Sequence, residues 1–335
     1  MAFYKSIKEY KDIEMINDTA FDYPDKTSKI ATSLLKLRTE LDEKIPRKKP
    51  NSLIIGSWNI QNFDEGMSRI DESFHYIAEI IDKFDICAIQ EVNEDLRPLK
   101  RVKSLLGPNW DYFVSDITMG DDGNSERMAF LFNKNKVIFR NQIGEVIPEE
   151  QSVARSPFFA SFQAGWFRFT LCSSHITFDD DVDNRRAEIS AVAQILKSRA
   201  EKMKEVFVML GDMNIKSNDD DVFKEMRADG WEVKDFGNTT TGKSTSAYDK
   251  INYTDNINRV NYLNHGSFDW RDSVFRAEDE DFYEQVKIAM RGKGFGTHHK
   301  NNYKAWMELE MSDHLPIWME LETDFSDEYL EDMTK

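Results

Sequence analysis

The chain has 335 residues, with 44 lysines and arginines against 61 aspartates and glutamates, and so a formal net charge of −17. Hydrophobic residues at 40% and aromatics at 12% are enough for a core, while 15 glycines and 8 prolines are too few for collagen or disorder. The acidic balance excludes non-specific adsorption to nucleic acid or anionic lipid, so any polyanionic ligand must be held by local basic groups or metal ions.

The N-terminal stretch carries Lys5, Lys8, Glu9, Lys11, Asp12 and Glu14, and no later apolar run approaches the roughly 18 residues of a membrane helix. A cytoplasmic protein with no export signal and no membrane insertion is expected. Ile30, Leu34, Leu37, Leu41 and Ile45 recur at helical spacing and stop at Pro46, which predicts an amphipathic helix whose stripe packs on the body. From Leu53 onward, strand-like runs at 53–60, 85–90, 112–115, 128–132, 158–162, 167–174 and 206–210 alternate with helical stretches near 67–83, 185–204 and 220–229. The runs between 111 and 175 leave no room for a crossover helix, so an α+β sandwich with mixed sheets is expected. Cys87 and Cys172 sit in apolar runs and read as buried hydrophobes, which suits a reducing compartment. The acidic clusters at 179–181 and 219–221 read as solvated loops. Residues 237–244 satisfy the phosphate-loop pattern, but a β-prone stretch follows where that chemistry needs a helix N-terminus, so the match is read as accidental.

Five apolar runs end in polar residues: Trp58 and Asn59 in GSWNIQN, Gln90 and Glu91 in ICAIQEV, His175 in LCSSHIT, Asp212 and Asn214 in VMLGDMNI, Asp313 and His314 in MSDHLPIW. Strand ends gathered at one sheet edge are a common way to build a site. Singly, each reads as a turn or a structural residue. Together they form an inventory for hydrolysing a phosphate ester with a hard cation. Glu91 and Asp313 offer anionic oxygen and Asn59 a neutral one, a set suited to Mg²⁺ that keeps several waters. Asp212 and Asn214 stand on one side of an extended segment and can grip one ligand or a second metal. Two histidines, with ordinary pKa values near about 6.5, supply proton transfer, each in need of a carboxylate to fix its tautomer. Glu126 and Asp249 are candidates, although spacing alone does not select them.

The motifs WNIQN, IQEV, SERMAFLF, VARSPF, SSHITF, GDMN, SAYDKI and SDHLP stand in the order found in the endonuclease/exonuclease/phosphatase superfamily. Within it the sequence resembles the pancreatic deoxyribonuclease type over residues 51–323, the 265–305 region and residues 1–50 lying outside the resemblance. The resemblance implies a four-layer α/β/β/α sandwich of two mixed β-sheets flanked by helices over residues 51–325; the residue pattern itself gives an N-terminal helical extension and linker at 1–50 and an acidic tail at 326–335. It implies a Mg²⁺ site, with Mn²⁺ as a substitute, at Glu91 with Asn59 and Asp313, and places Asp212 and Asn214 on the scissile phosphate or a second metal. It pairs His175 with Glu126 and His314 with Asp249, and puts Arg155 on the phosphate. The implied activity is metal-dependent phosphodiester hydrolysis by an endonuclease acting on nucleic acid, DNA favoured, with His314 as base and His175 as acid and the opposite assignment open.

Two departures bear on the substrate. The deoxyribonuclease pattern has an arginine two residues after the metal glutamate and a tyrosine two before the Glu-Arg pair, both of which touch the DNA minor groove; here those positions hold Asn93 and Asn124. The alternative is a phosphatase or phosphodiesterase acting on nucleotides, phosphoinositides or other small phosphoesters; a non-enzymatic binding module on the same fold is a third reading. Between Glu284 and Glu308 there is no acid, while Lys287, Arg291, Lys293, Lys300 and Lys304 give a local charge of +5. Lys293 and Lys300, in a glycine-rich loop with Phe295, are therefore candidates for binding substrate phosphates.

Overall fold

The computed structural model describes residues 2–9, 13–16, 19–22, 25–63, 69–117, 126–148, 153, 155–178, 181–237, 240–241, 246–255, 260–289 and 302–334. In chain order the elements are β1 (Ile13–Ile16), β2 (Thr19–Asp22), α1 (Lys26–Lys44), β3 (Ser52–Phe63), α2 (Asp71–Ile81), β4 (Ile86–Val92), α3 (Arg97–Leu106), β5 (Trp110–Val114), β6 (Arg127–Asn133), β7 (Ile138–Glu145), β8 (Phe158–Ala164), β9 (Phe167–His175) and α4 (Val182–Met203). They continue with β10 (Val206–Asp212), α5 (Asp221–Ala228), β11 (Trp231–Val233), β12 (Asp249–Thr254), β13 (Tyr262–Ser267), α6 (Glu280–Ala289), α7 (Tyr303–Glu310), β14 (Ile317–Glu322) and α8 (Ser326–Asp332).

Period-two alternation builds the sandwich. On β3 the odd residues Leu53 and Ile55 face the opposite sheet, while the even residues Ile54, Trp58 and Ile60 face helices. The first six-stranded sheet runs β13-β14-β3-β4-β6-β5 and the second β11-β12-β10-β9-β8-β7, each mixing parallel and antiparallel pairs. Their facing sides share a core of Leu53, Ile55, Phe130, Phe162, Leu171 and Val208. Residues of α1, α2, α3, α6 and α7 cover the outer face of the first sheet, and α4 and α5 cover the second. This is the expected four-layer sandwich of two mixed sheets flanked by helices.

The stripe Ile30, Leu34, Leu37, Leu41 and Ile45 is buried in one cluster with Phe74, Ile77 and Ile81 of α2, so the N-terminal helix packs on the body as predicted. Cys87 and Cys172 are buried and free. The acidic cluster at 219–221 differs from its expectation as a solvated loop. Asp220 caps α5 through Val222 N at 3.1 Å and takes both arms of Arg186 at 2.9 and 2.8 Å, because a carboxylate is more stable at a helix N-terminus beside a guanidinium than in water alone. Asp181 likewise caps α4; Asp179 and Asp180 lie outside the described residues. A strand, Asp249–Thr254, follows the phosphate-loop look-alike, whose residues 238–239 and 242–244 lie outside the description. Among the described residues no helix is long and apolar enough to cross a membrane.

Candidate active site

The alternation that makes the seam between the sheets apolar continues to one end of it, where the residue types change. Leu53 and Ile55 of β3 are followed on the same face by Ser57 and Asn59; Phe169 and Leu171 of β9 by Ser173 and His175; Val206, Val208 and Leu210 of β10 by Asp212. On β12, Asp249 precedes Ile251 and Tyr253. Strand register then sets three of these side by side, since Asp212 pairs with His175 on one neighbour and with Asp249 on the other. Gly211 allows the close approach: its φ is 124°, and a Cβ there would lie 2.0 Å from the Ser174 carbonyl oxygen.

Asp212 is the hub. Its Oδ2 lies 3.8 Å from His175 Nε2 and 3.5 Å from His314 Nε2 and accepts the Asn59 amide at 3.1 Å, while Oδ1 accepts Asn214 N at 2.9 Å. Each histidine has a carboxylate on its other nitrogen. His314 Nδ1 meets Asp249 Oδ2 at 2.8 Å, and His175 Nδ1 meets Glu126 Oε2 obliquely at 3.1 Å. Burial alone would strip the proton from His175, but Glu126, Asp212 and Glu91 outweigh it and raise its pKa. The same contest leaves His314 well above the usual histidine range, because Asp249 and Asp212 press on it from both sides and Asp313 adds to them.

The expected metal residues fall on the first sheet, Asn59 and Glu91, or in the turn that leads into it, Asp313. Asn59 is fully buried, and its amide nitrogen must face Asp212, which can only accept, so Oδ1 faces away and has no hydrogen-bond partner. Glu91 occupies a break in β4: the registers to β3 and β6 both shift around it, and its φ is 58°. Its Oε1 reaches 4.0 Å from His175 Nε2, and its Oε2 accepts Asn62 N at 2.8 Å. Asp313 acts on the site through its charge on His314. Among the described residues no three His, Cys, Asp or Glu side chains are grouped to hold an ion.

Arg155 is buried, with Nε 2.9 Å from Glu126 Oε2 and a terminal nitrogen 3.5 Å from Thr177 Oγ1. With Glu91, Glu126 and His175 it lines a narrow cleft. The Asn214 side chain donates to Ile176 O at 2.6 Å, so it holds the loop after β9 in place. Lys293 and Lys300, together with Phe295 and Asn124, lie outside the described residues.

Several supporting residues escape sequence reasoning, beside Gln90, which the strand-end pattern had marked. Ser312 Oγ donates to Asn59 O at 2.6 Å and accepts His314 N at 3.0 Å. Gln90 crosses the seam to Ser173 Oγ at 2.8 Å. Thr240 receives Asp249 N on its hydroxyl at 3.1 Å and Leu315 N on its carbonyl at 2.7 Å, which ties β12 to the turn carrying His314. Glu188 of α4 is buried behind the site, and burial pushes its carboxyl up to about 7 against the charges of Arg155 and His175. Of the rest, only Ser173 could have been flagged, by its inward parity in the strand pattern.

Over residues 56–283 the sequence matches the family described as Endonuclease/Exonuclease/phosphatase family. Deoxyribonuclease-1-like 2 of Mus musculus is 26% identical over 221 residues, which cover 60% of this chain and 76% of that protein. An endonuclease/exonuclease/phosphatase family protein from Bacteroides thetaiotaomicron superposes with a TM-score of 0.57 at 17% identity, over 83% of this chain and 100% of that one. A mannosyl-6-phosphatase from the same species superposes with a TM-score of 0.55 at 17% identity, over 80% of this chain and 99% of its own. At such identities the solved structures share the fold, whatever their substrates.

Proposed function

Since the chain belongs to the endonuclease/exonuclease/phosphatase family, we propose that it hydrolyses phosphodiesters with a divalent metal ion and that its substrate is a nucleic acid. The observation that carries this reading is Asp212 set between two histidines, 3.8 and 3.5 Å from their Nε2 atoms, each histidine backed by a further carboxylate. Hydrolysis of a phosphodiester needs one proton taken from water and one given to the leaving oxygen, and two carboxylate-backed imidazoles facing one slot can divide that work.

The donor set fits Mg²⁺ or Mn²⁺. The partnerless Asn59 Oδ1 and the carboxylate of Glu91 on the adjacent strand are hard oxygens, with Asp313 as a further one, and few protein ligands suit an ion that keeps its waters. When bound, the ion would neutralise charge that develops on the phosphate. Arg155, whose five N–H donors exceed those spent on Glu126 and Thr177, and the Asn214 amide would hydrogen-bond phosphate oxygens. Neighbouring carboxylates raise the pKa of both histidines, and one of the pair gives a proton to the leaving oxygen while the other accepts from water.

Nucleic acid is favoured over a sugar phosphate by the deoxyribonuclease-like relative and by Phe178. This ring, 62% exposed, stands in the loop after His175 with the Arg185 guanidinium 5.1 Å from its centroid, and it offers a flat surface to a base. The test is turnover of supercoiled plasmid, single-stranded DNA, RNA and an aryl phosphodiester with Mg²⁺ or Mn²⁺. Plasmid or strand cleavage that ends with EDTA and falls at least about 10²-fold in both Glu91→Ala and His175→Ala is expected. Hydrolysis of the small diester alone would transfer the reading to small phosphoesters, and activity that survives both substitutions would refute the site.

A further inference from the structure

Glu91 and Asn62 both hold left-handed backbone, with φ of 58° and 44°, and neither is glycine. Such conformations are strained for residues other than glycine and persist only where the surroundings over-determine them. The two residues are joined by a hydrogen bond from Asn62 N to Glu91 Oε2 at 2.8 Å, so the register break in β3 that strains one aims the carboxylate of the other. The side chain that holds this break is Arg69. One terminal nitrogen donates to Asn62 O at 3.1 Å, the other to Gln61 O, and Nε to the carbonyl of Glu310 at the C-terminal end of α7 at 3.2 Å. Only 6% exposed and lying over the Phe63 ring, this guanidinium donates to three backbone carbonyls. Ser312 completes the clamp by accepting Gln61 N at 3.1 Å.

The other end of the clamp is equally fixed. The Glu310 side chain accepts Ile70 N at 3.0 Å and Ser73 Oγ at 2.6 Å, which ties α7 to the start of α2 just after Arg69. Burial pushes this carboxyl up to about 8, against those two hydrogen bonds, so its uncharged form settles readily in the core.

We propose that Arg69 is a positioning residue for divalent-cation binding, which holds the irregular Gln61–Asn62 segment of β3 so that Asn62 N fixes the Glu91 carboxylate in a metal-ready orientation. This rests on the metal reading above. It extends that reading beyond the ion's own ligands to α7, whose residues 303–310 lie outside the matched family segment 56–283. Arginine suits the task and lysine does not fully replace it, because three carbonyls in different directions require the planar fork of donors.

The experiment is Mn²⁺ binding to the intact chain without substrate, read from the free-ion electron paramagnetic resonance signal, beside thermal melts. Arg69→Gln should weaken Mn²⁺ binding about 10- to 100-fold, as loss of a residue that orients a metal ligand commonly does. Arg69→Lys should fall between Gln and wild type, and turnover at saturating Mn²⁺ should recover most of its rate. A lower melting temperature with unchanged Mn²⁺ affinity would overturn the proposal. Should Arg69→Gln not fold, Arg69→Lys carries the same test, and wild-type affinity in that variant overturns it equally. Wild type that binds no Mn²⁺, or binding unaffected by Glu91→Ala, would instead defeat the metal reading, and the clamp with it.

Discussion

Two carboxylates facing one imidazole change what that imidazole can do. Buried His314 would by itself be neutral, yet Asp249 on Nδ1 and Asp212 toward Nε2 hold its proton well above the usual histidine range. Where His314 is the group that gives its proton to the leaving oxygen it must be charged, so the rate should fall as pH rises through its pKa, and this alkaline limb should lie well above about 6.5. Asp249→Asn removes the charge that burial and hydrogen bonding have placed against Nδ1, and should move the limb to lower pH. The pH dependence of kcat/KM measures it; an unmoved limb would assign the donor elsewhere. The linked stability has the same sign. A raised pKa stabilises the fold fully below the unfolded value of about 6.5, and that stabilisation is lost as pH climbs through the folded value.

At the scale of elements, α1 shows how far the outer layer reaches from the chemistry. Leu37 is fully buried in the cluster that joins α1 to α2, while every site residue lies at the far side of the first sheet or beyond it. Leu37→Ala should therefore cost about 2–5 kcal/mol of unfolding free energy, measured by denaturant titration, with kcat unchanged on the folded protein. The helix was legible because Ile30, Leu34, Leu37, Leu41 and Ile45 repeat at one period. The strand ends were legible for a similar reason, since an apolar run that stops at Asn59, His175 or Asp212 announces both its direction and its edge. The 10-residue helix α3 is shorter than the window over which such a period can be read, although Leu99, Val102, Leu105 and Leu106 recur on one face with Lys100, Arg101 and Lys103 opposite. Arg69 and Ser312 were illegible for a deeper reason. Their partners are backbone atoms of distant segments, brought close only by tertiary packing, and nothing in local periodicity marks such a meeting.

At the scale of the molecule, the two sheets are joined by an apolar seam and by the site at its end. Asn59 to Asp212, Glu91 to His175, Gln90 to Ser173 and His314 to Asp249 each run from the first sheet, or the turn that leads into it, to the second. The site therefore behaves as a caliper, half of its scale engraved on each slab. A slip of a fraction of an ångström between slabs that keep every internal strand pairing would leave the far-ultraviolet circular dichroism intact and misread the scale entirely. Mild denaturant should accordingly extinguish turnover before it melts secondary structure, and coincident midpoints for the two signals would show that the slabs never part without unravelling.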